Sequence, residues 1–244
     1  MSCERSLPNA TRHKTLASDI RLIHKPPLVD RYDFPVFISH PRGFRDPFCV
    51  AERLAMLETE VSVRPLRAWA AELAVRRGVL VPQFDPAEAG VDARVLFVLE
   101  APGPMTNAKN LKPGSGFISA DNNDSTAAAI WSARNAAGLH VGALHWNIVP
   151  WYLGTAKRKP TAAELGEGAV ELRALLLLLP YLELVALAGV KAQTGWRKHV
   201  APLLIDGPAV VDIWHPGDQS LNQPGRRDDF NQSVKGIATL LAQS

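Results

Sequence analysis

The most constraining feature of this chain is the stretch Arg94 to Pro104, RVLFVLEAPGP, where an unbroken apolar run ends in a carboxylate and a Pro-Gly turn. Val95 to Leu99 are β-formers without alternation, the pattern of a parallel strand covered by helices on both faces. In open α/β sheets the ligand crevice lies just outside the C-terminal ends of the strands. Glu100 and the turn Ala101-Pro102-Gly103 therefore fall where chemistry is expected. A core strand followed by a solvated glutamate gives the same local pattern, so the other strand ends have to decide.

Three more runs have strand character: 143–149 (ALHWNIV), 184–188 (LVALA) and 210–213 (VVDI). Helical spacing separates them. A helix over 125–137 is capped by Asp124 or Ser125, and Thr161 with Glu164 forms a capping box opening a helix to Leu179. Further helices cover 191–199 and 229 to the C-terminus. This alternation predicts an α/β fold, a three-layer α/β/α sandwich around a four-stranded parallel sheet, with strand order 2-1-3-4 numbered along the chain.

Ahead of this domain, 91–244, residues 1–90 read as an arm and helices packing on the core. Helical spacing covers 46–58 and 65–77, the second with Pro65 in its first turn, Gly78 at its end and Leu66, Trp69 and Leu73 as its buried stripe. Segment 79–93 reads as a loop. In the proline-rich stretch 1–47, Tyr32, Phe34, Phe37 and Phe44 are expected to anchor the arm on the domain.

Composition narrows the function classes. The 244 residues are 47% hydrophobic and 21% charged with a net charge of +3, ordinary for a folded globular chain and only a weak hint of a polyanionic partner. Two cysteines, Cys3 and Cys49, cannot build an iron-sulfur site or a disulfide framework. No metal or other cofactor is expected. The apolar run 174–179 is far short of the roughly 20 residues that span a bilayer. With no apolar leader at the N-terminus, a cytoplasmic monomer without membrane contact is expected.

Glu100, Asn147 and His215 each follow a strand at its C-terminal end, so three polar groups from distant sequence converge on one crevice. With LEAPG at 99–103, Gly114-Ser-Gly-Phe117 before a helix, Asn147 in WNIVP, the strand ELVALAG and His215 in HPG, residues 94–241 resemble the uracil-DNA glycosylase superfamily, in particular its branches whose first motif reads GEAPG.

The resemblance implies hydrolysis of the N-glycosidic bond of a flipped uracil or related damaged base in DNA. Bond breaking leaves cationic character on the sugar and negative charge on the base, which calls for a donor at the base oxygen and an oriented water. By resemblance His215 is the donor, Asn147 reads the pyrimidine edge, and Ala101 and Phe117 bind the base, Phe117 by stacking. Pro102, Gly103, Pro216, Gly217, Lys157, Arg158 and Arg226 would hold the DNA strand, and Leu221 would fill the gap left by the flipped nucleotide. A solvated loop accounts equally for the basic run at 157–159.

Several positions depart from the pattern. Leu99 replaces a glycine, and Thr106 stands where the iron-sulfur branch has a glutamate. The cluster cysteines are absent. Ala101 occupies the place of another branch's water-activating aspartate, leaving Glu100, Asp121 or Asp124 for the water. The rival expectation is a catalytically weak or inactive nucleic-acid or nucleotide binding protein with the same fold.

Overall fold

The computed structural model describes residues 38–109, 113–154 and 158–244. Its strands are β1 (Gln83–Phe84), β2 (Val95–Leu99), β3 (Phe117–Ile118), β4 (Ala143–Asn147), β5 (Leu184–Ala188) and β6 (Ala209–Ile213). The four longer ones form one parallel sheet in the order β4-β2-β5-β6, and β1 with β3 makes a separate two-residue parallel ladder. Leu99 is in register with Asn147, and Ala188 with Ile213, so the C-terminal ends lie level along one rim.

The helices are α1 (Pro47–Thr59), α2 (Arg64–Arg77), α3 (Ser125–Ala136), α4 (Ala162–Leu176), α5 (Val190–Gly195), α6 (Asp218–Leu221) and α7 (Arg226–Ala242). Their ends follow local chemistry. Asp46 caps α1 and Asp124 caps α3 through backbone N–H groups, and Thr161 and Glu164 complete a capping box at α4. Gly78 closes α2 in the left-handed region at φ 63.

Strand period two divides the apolar side chains between two cores. Leu96, Val98, Leu144, Trp146, Val185 and Leu187 pack with α2 and α4. Val95, Phe97, Ala143, Leu184, Ala186 and Ile213 pack with α3 and α7. Strands β2 and β5 are therefore covered on both faces, as their uninterrupted apolar runs require.

Segment 79–93 departs from the loop expectation, because it contains β1 and its Phe84 ring stacks on Trp146 at 3.7 Å. Val63, Leu66 and Phe84 are fully buried in the same core as the sheet, so residues 47–90 complete the domain. Phe44 is buried 6.0 Å from Phe117, with the Arg53 guanidinium over its ring. The other expected anchors, Tyr32, Phe34 and Phe37, lie outside the described residues. Among those described, no helix is long and apolar enough to cross a membrane.

Candidate active site

The level strand ends open onto a cavity of about 520 Å³. Its floor includes Leu99, His145 and Asn147 from β2 and β4, which share one sheet face because they are spaced by two. The loop 101–106 and the start of α3 wall it, and His215 closes one side. A neighbouring cavity of about 490 Å³ also touches His215 and holds Glu100, Lys159, Lys191, Trp214 and Arg226. His215 is the residue common to the two cavities.

Asn147 is only 3% exposed, and its Nδ2 has no hydrogen-bond partner among the described residues. A buried amide donor left open is costly unless something else satisfies it. His215 is held differently. Its Nδ1 accepts from the Gly217 backbone N–H at 3.0 Å, so in the neutral ring the proton sits on Nε2. Burial pulls the imidazole pKa below its ordinary value; Glu100 opposes this and Lys159 adds to it. A neutral His215 is thus a donor through Nε2.

Gly189 lets His215 approach. Its φ of 85 and ψ of 168 suit glycine, and a Cβ there would lie 2.8 Å from the His215 Cβ.

The carboxylates occupy three different settings. Glu100 sits in the second cavity and accepts from Lys159 Nζ at 3.0 Å. Asp124 lines the main cavity while capping α3, and burial raises its pKa against the N–H groups of Ala127 and Thr126. Asp121 is away from the cavity lining; with Asp85 it flanks Arg53, at 2.8 and 2.6 Å. Burial and the Asp85 charge push Asp121 up to about 6, against the pull of Arg53.

Ala101, Pro102 and Gly103 line the main cavity, as expected of the turn after β2. Gly217 and Arg226 line the second, and Pro216 is buried beside them. The Arg226 guanidinium lies 4.1 Å over the exposed Trp214 ring.

Two expectations need correction and one needs adjustment. Phe117 does not line the cavity: its ring is fully buried among core aromatics, and its strand neighbours Ile118 and Ser119 face the cavity instead. Leu221 is 3% exposed, packed in the α7 core at the end of α6, so it cannot stand as a wedge in this conformation. Arg158 is held by Glu164 in a two-pronged ion pair at 2.6 and 2.8 Å, and of this loop's basic residues it is Lys159 that lines the second cavity. Lys157 lies outside the described residues.

The sequence reading passed over His145, Glu88 and Arg134. Glu88 is completely buried; its Oε1 accepts from Arg134 Nη1 at 2.8 Å and from His145 Nδ1 at 2.6 Å, and its Oε2 accepts from the His145 backbone N–H at 2.7 Å. Since β4 is an edge strand, this carboxylate covers an N–H that no neighbouring strand can take. The available signal was a histidine two residues before Asn147, on the same strand face. Among the described residues no group of three His, Cys, Asp or Glu side chains could hold a metal ion.

No family model and no curated protein matches this chain. Among solved structures, it is similar to the SBP FpvC in complex with a Ni2+ ion from P.aeruginosa, at 14% identity and a TM-score of 0.28. The match covers 74% of this chain and 48% of that one, so the chain spans about half of that protein's length. A likeness that low carries no argument about fold or ligand.

Proposed function

We propose that this protein is a monofunctional DNA glycosylase that hydrolyses the N-glycosidic bond of a flipped uracil or related base. The observation that carries the reading is one cavity at the strand ends, lined by both an open Asn147 amide and a His215 ring whose tautomer is fixed by the Gly217 N–H. The strand order β4-β2-β5-β6, which is 2-1-3-4 counted over the four long strands, supports the resemblance to the uracil-DNA glycosylase superfamily.

In this mechanism Asn147 fits the edge of the base. His215 donates from Nε2 to the base oxygen as negative charge develops there, an interaction stronger in the transition state than in the ground state. Glu100, beside His215 in the second cavity, faces the sugar as it gains cationic character. Lys159, Lys191 and Arg226 provide positive charge for flanking phosphates, and the Trp214 ring offers a stacking surface for a neighbouring base. The partner is then damaged DNA in a cytoplasmic setting.

Single-turnover excision from a uracil-containing oligonucleotide tests the proposal. His215→Ala should keep near-normal DNA binding and lose about 10² to 10³ in rate. A variant within a few-fold of the parent rate would overturn the assignment. A second reading, a base-binding module without turnover, is favoured by the burial of Phe117 and the pairing of Glu100 with Lys159. Tight binding of uracil-containing DNA with no base released by the parent protein would establish it.

A further inference from the structure

Two buried side-chain atoms of the residues lining the main cavity have no partner among the described residues, and only one belongs to the machinery described so far. Asn147 Nδ2 is the first; His145 Nε2 is the second. His145 is 2% exposed and lines the cavity floor. Its ring is fixed from two sides, stacked on Phe97 at 4.9 Å and bonded through Nδ1 to Glu88 at 2.6 Å.

The charges decide which way the free nitrogen works. Glu88 is fully buried, yet it accepts from the Arg134 guanidinium, the His145 backbone N–H and the His145 ring, three donors that favour the carboxylate. Ionised Glu88 can only accept, so its 2.6 Å contact places a proton on His145 Nδ1; Arg134 Nη1, also 3.2 Å from that nitrogen, donates over the shorter 2.8 Å to Glu88. Arg134 supplies the charge that balances the carboxylate, from Nη1 at 2.8 Å. With Arg134 already balancing Glu88, a second proton on the ring would leave an uncompensated buried cation, so the proton on Nδ1 leaves Nε2 as an acceptor on a residue that lines the cavity. A buried acceptor and a buried donor, on one strand face and roughly 6 to 7 Å apart at their Cα atoms, both lack partners.

We propose that His145 is a second base-reading residue, its Nε2 accepting from an N–H on the inner edge of a base whose carbonyl takes the Asn147 amide. The site therefore selects bases with a lactam edge, an N–H beside a C=O. This deepens the glycosylase reading and rests on it. Glu88 is the positioning residue, setting the tautomer and fixing the ring, and Arg134 keeps Glu88 ionised.

Calorimetric binding of free uracil and 3-methyluracil tests the idea, because the methyl group removes the ring N–H. The parent protein should prefer uracil by roughly 10- to 100-fold, the range expected when a buried acceptor is left unsatisfied. His145→Phe keeps a flat ring against Phe97 and should narrow that preference at least about fivefold. Side-chain ¹⁵N spectra of the parent give an answer independent of the variant's folding: the free protein should show His145 protonated on Nδ1 only, and uracil, unlike 3-methyluracil, should move the Nε2 resonance upfield.

If His145→Phe retains the full preference, or uracil leaves Nε2 unmoved in a protein that binds it, His145 loses the role while the glycosylase reading stands. A parent protein that binds neither free uracil nor uracil-containing DNA would overturn both.

Discussion

Replacing Gly189 by alanine is the sharpest perturbation available, because it reaches His215 without altering any polar group. At φ 85 and ψ 168 the backbone lies in a region essentially confined to glycine, where a side chain costs about 1 to 3 kcal/mol. The new methyl would also sit 2.8 Å from the His215 Cβ, so the histidine must shift for both to fit. At about 2 to 4 °C per kcal/mol for a chain of this size, the backbone term alone lowers Tm by roughly 2 to 12 °C. A displacement of about 1 Å at a reacting group costs on the order of 10² in rate.

Gly138→Ala is the control. It has φ 64 and open space around the position, so it carries a backbone penalty of about 1 to 2 kcal/mol away from the cavity. Thermal unfolding, single-turnover excision and NMR titration of the His215 ring should be measured on both variants. The expected result is destabilisation in both, with the rate loss and a changed His215 titration confined to Gly189→Ala. A Gly189→Ala protein that melts lower but keeps the parent rate and the parent His215 titration would refute the reasoning.

Leu221→Ala should cost about 2 to 5 kcal/mol of stability as a buried truncation and lower action on single- and double-stranded substrates alike; denaturant melts with both substrates check this, and a loss specific to duplex would restore the wedge. Asp121 is raised to about 6 from an unfolded value of 3.8, so the folded state binds the extra proton between these values and stability falls as pH rises from 3.8 to about 6. Asp121→Asn should flatten that slope in urea titrations, and an unchanged slope would remove Asp121 as its source. Lys159→Ala removes a charge that depresses the His215 pKa, so the ring's NMR titration midpoint should move up; a midpoint that falls or stays would contradict the electrostatic account.

The strands and two of the polar residues lining the main cavity were legible because their signals are local. Val95–Leu99 reads as a doubly covered strand from its own composition, and Asn147 and His215 stand at strand ends in short motifs. Phe117 and Leu221 were misplaced for a shared reason: a motif fixes where a residue falls along the chain, whereas packing decides which way its side chain turns. Phe117 is turned into the core while Ile118 and Ser119 after it line the cavity, and α6 turns Leu221 inward under α7. Glu88 was illegible because its purpose, covering the edge of β4 and fixing His145, exists only once residues 57 positions apart are brought together. A buried carboxylate in a Pro-Ala-Glu-Ala-Gly segment looks like any solvated loop glutamate until its partners are present.

In the proposed glycosylase, the same geometry ranks the carboxylates for the role of orienting water and stabilising the sugar cation. Asp124 lines the cavity, but its oxygens are engaged by the N–H groups at the start of α3, and burial disfavours its charge. Asparagine caps a helix about as well as aspartate, so Asp124→Asn should leave both stability and rate within a few-fold of the parent. Glu100 lies beside His215 in the second cavity, with a single ion pair to a lysine that is 69% exposed. An exposed lysine can release its partner at little cost when a phosphate competes for it. Glu100→Gln keeps the shape and removes the charge, and should lower single-turnover excision by about 10² or more, in the range of a general base or an equivalent electrostatic group. DNA binding should hold or tighten, since one negative charge has left the cavity proposed to face the phosphates. The reverse pattern, a large rate loss in Asp124→Asn with Glu100→Gln near the parent, would move the water to the main cavity and make the α3 cap its carboxylate.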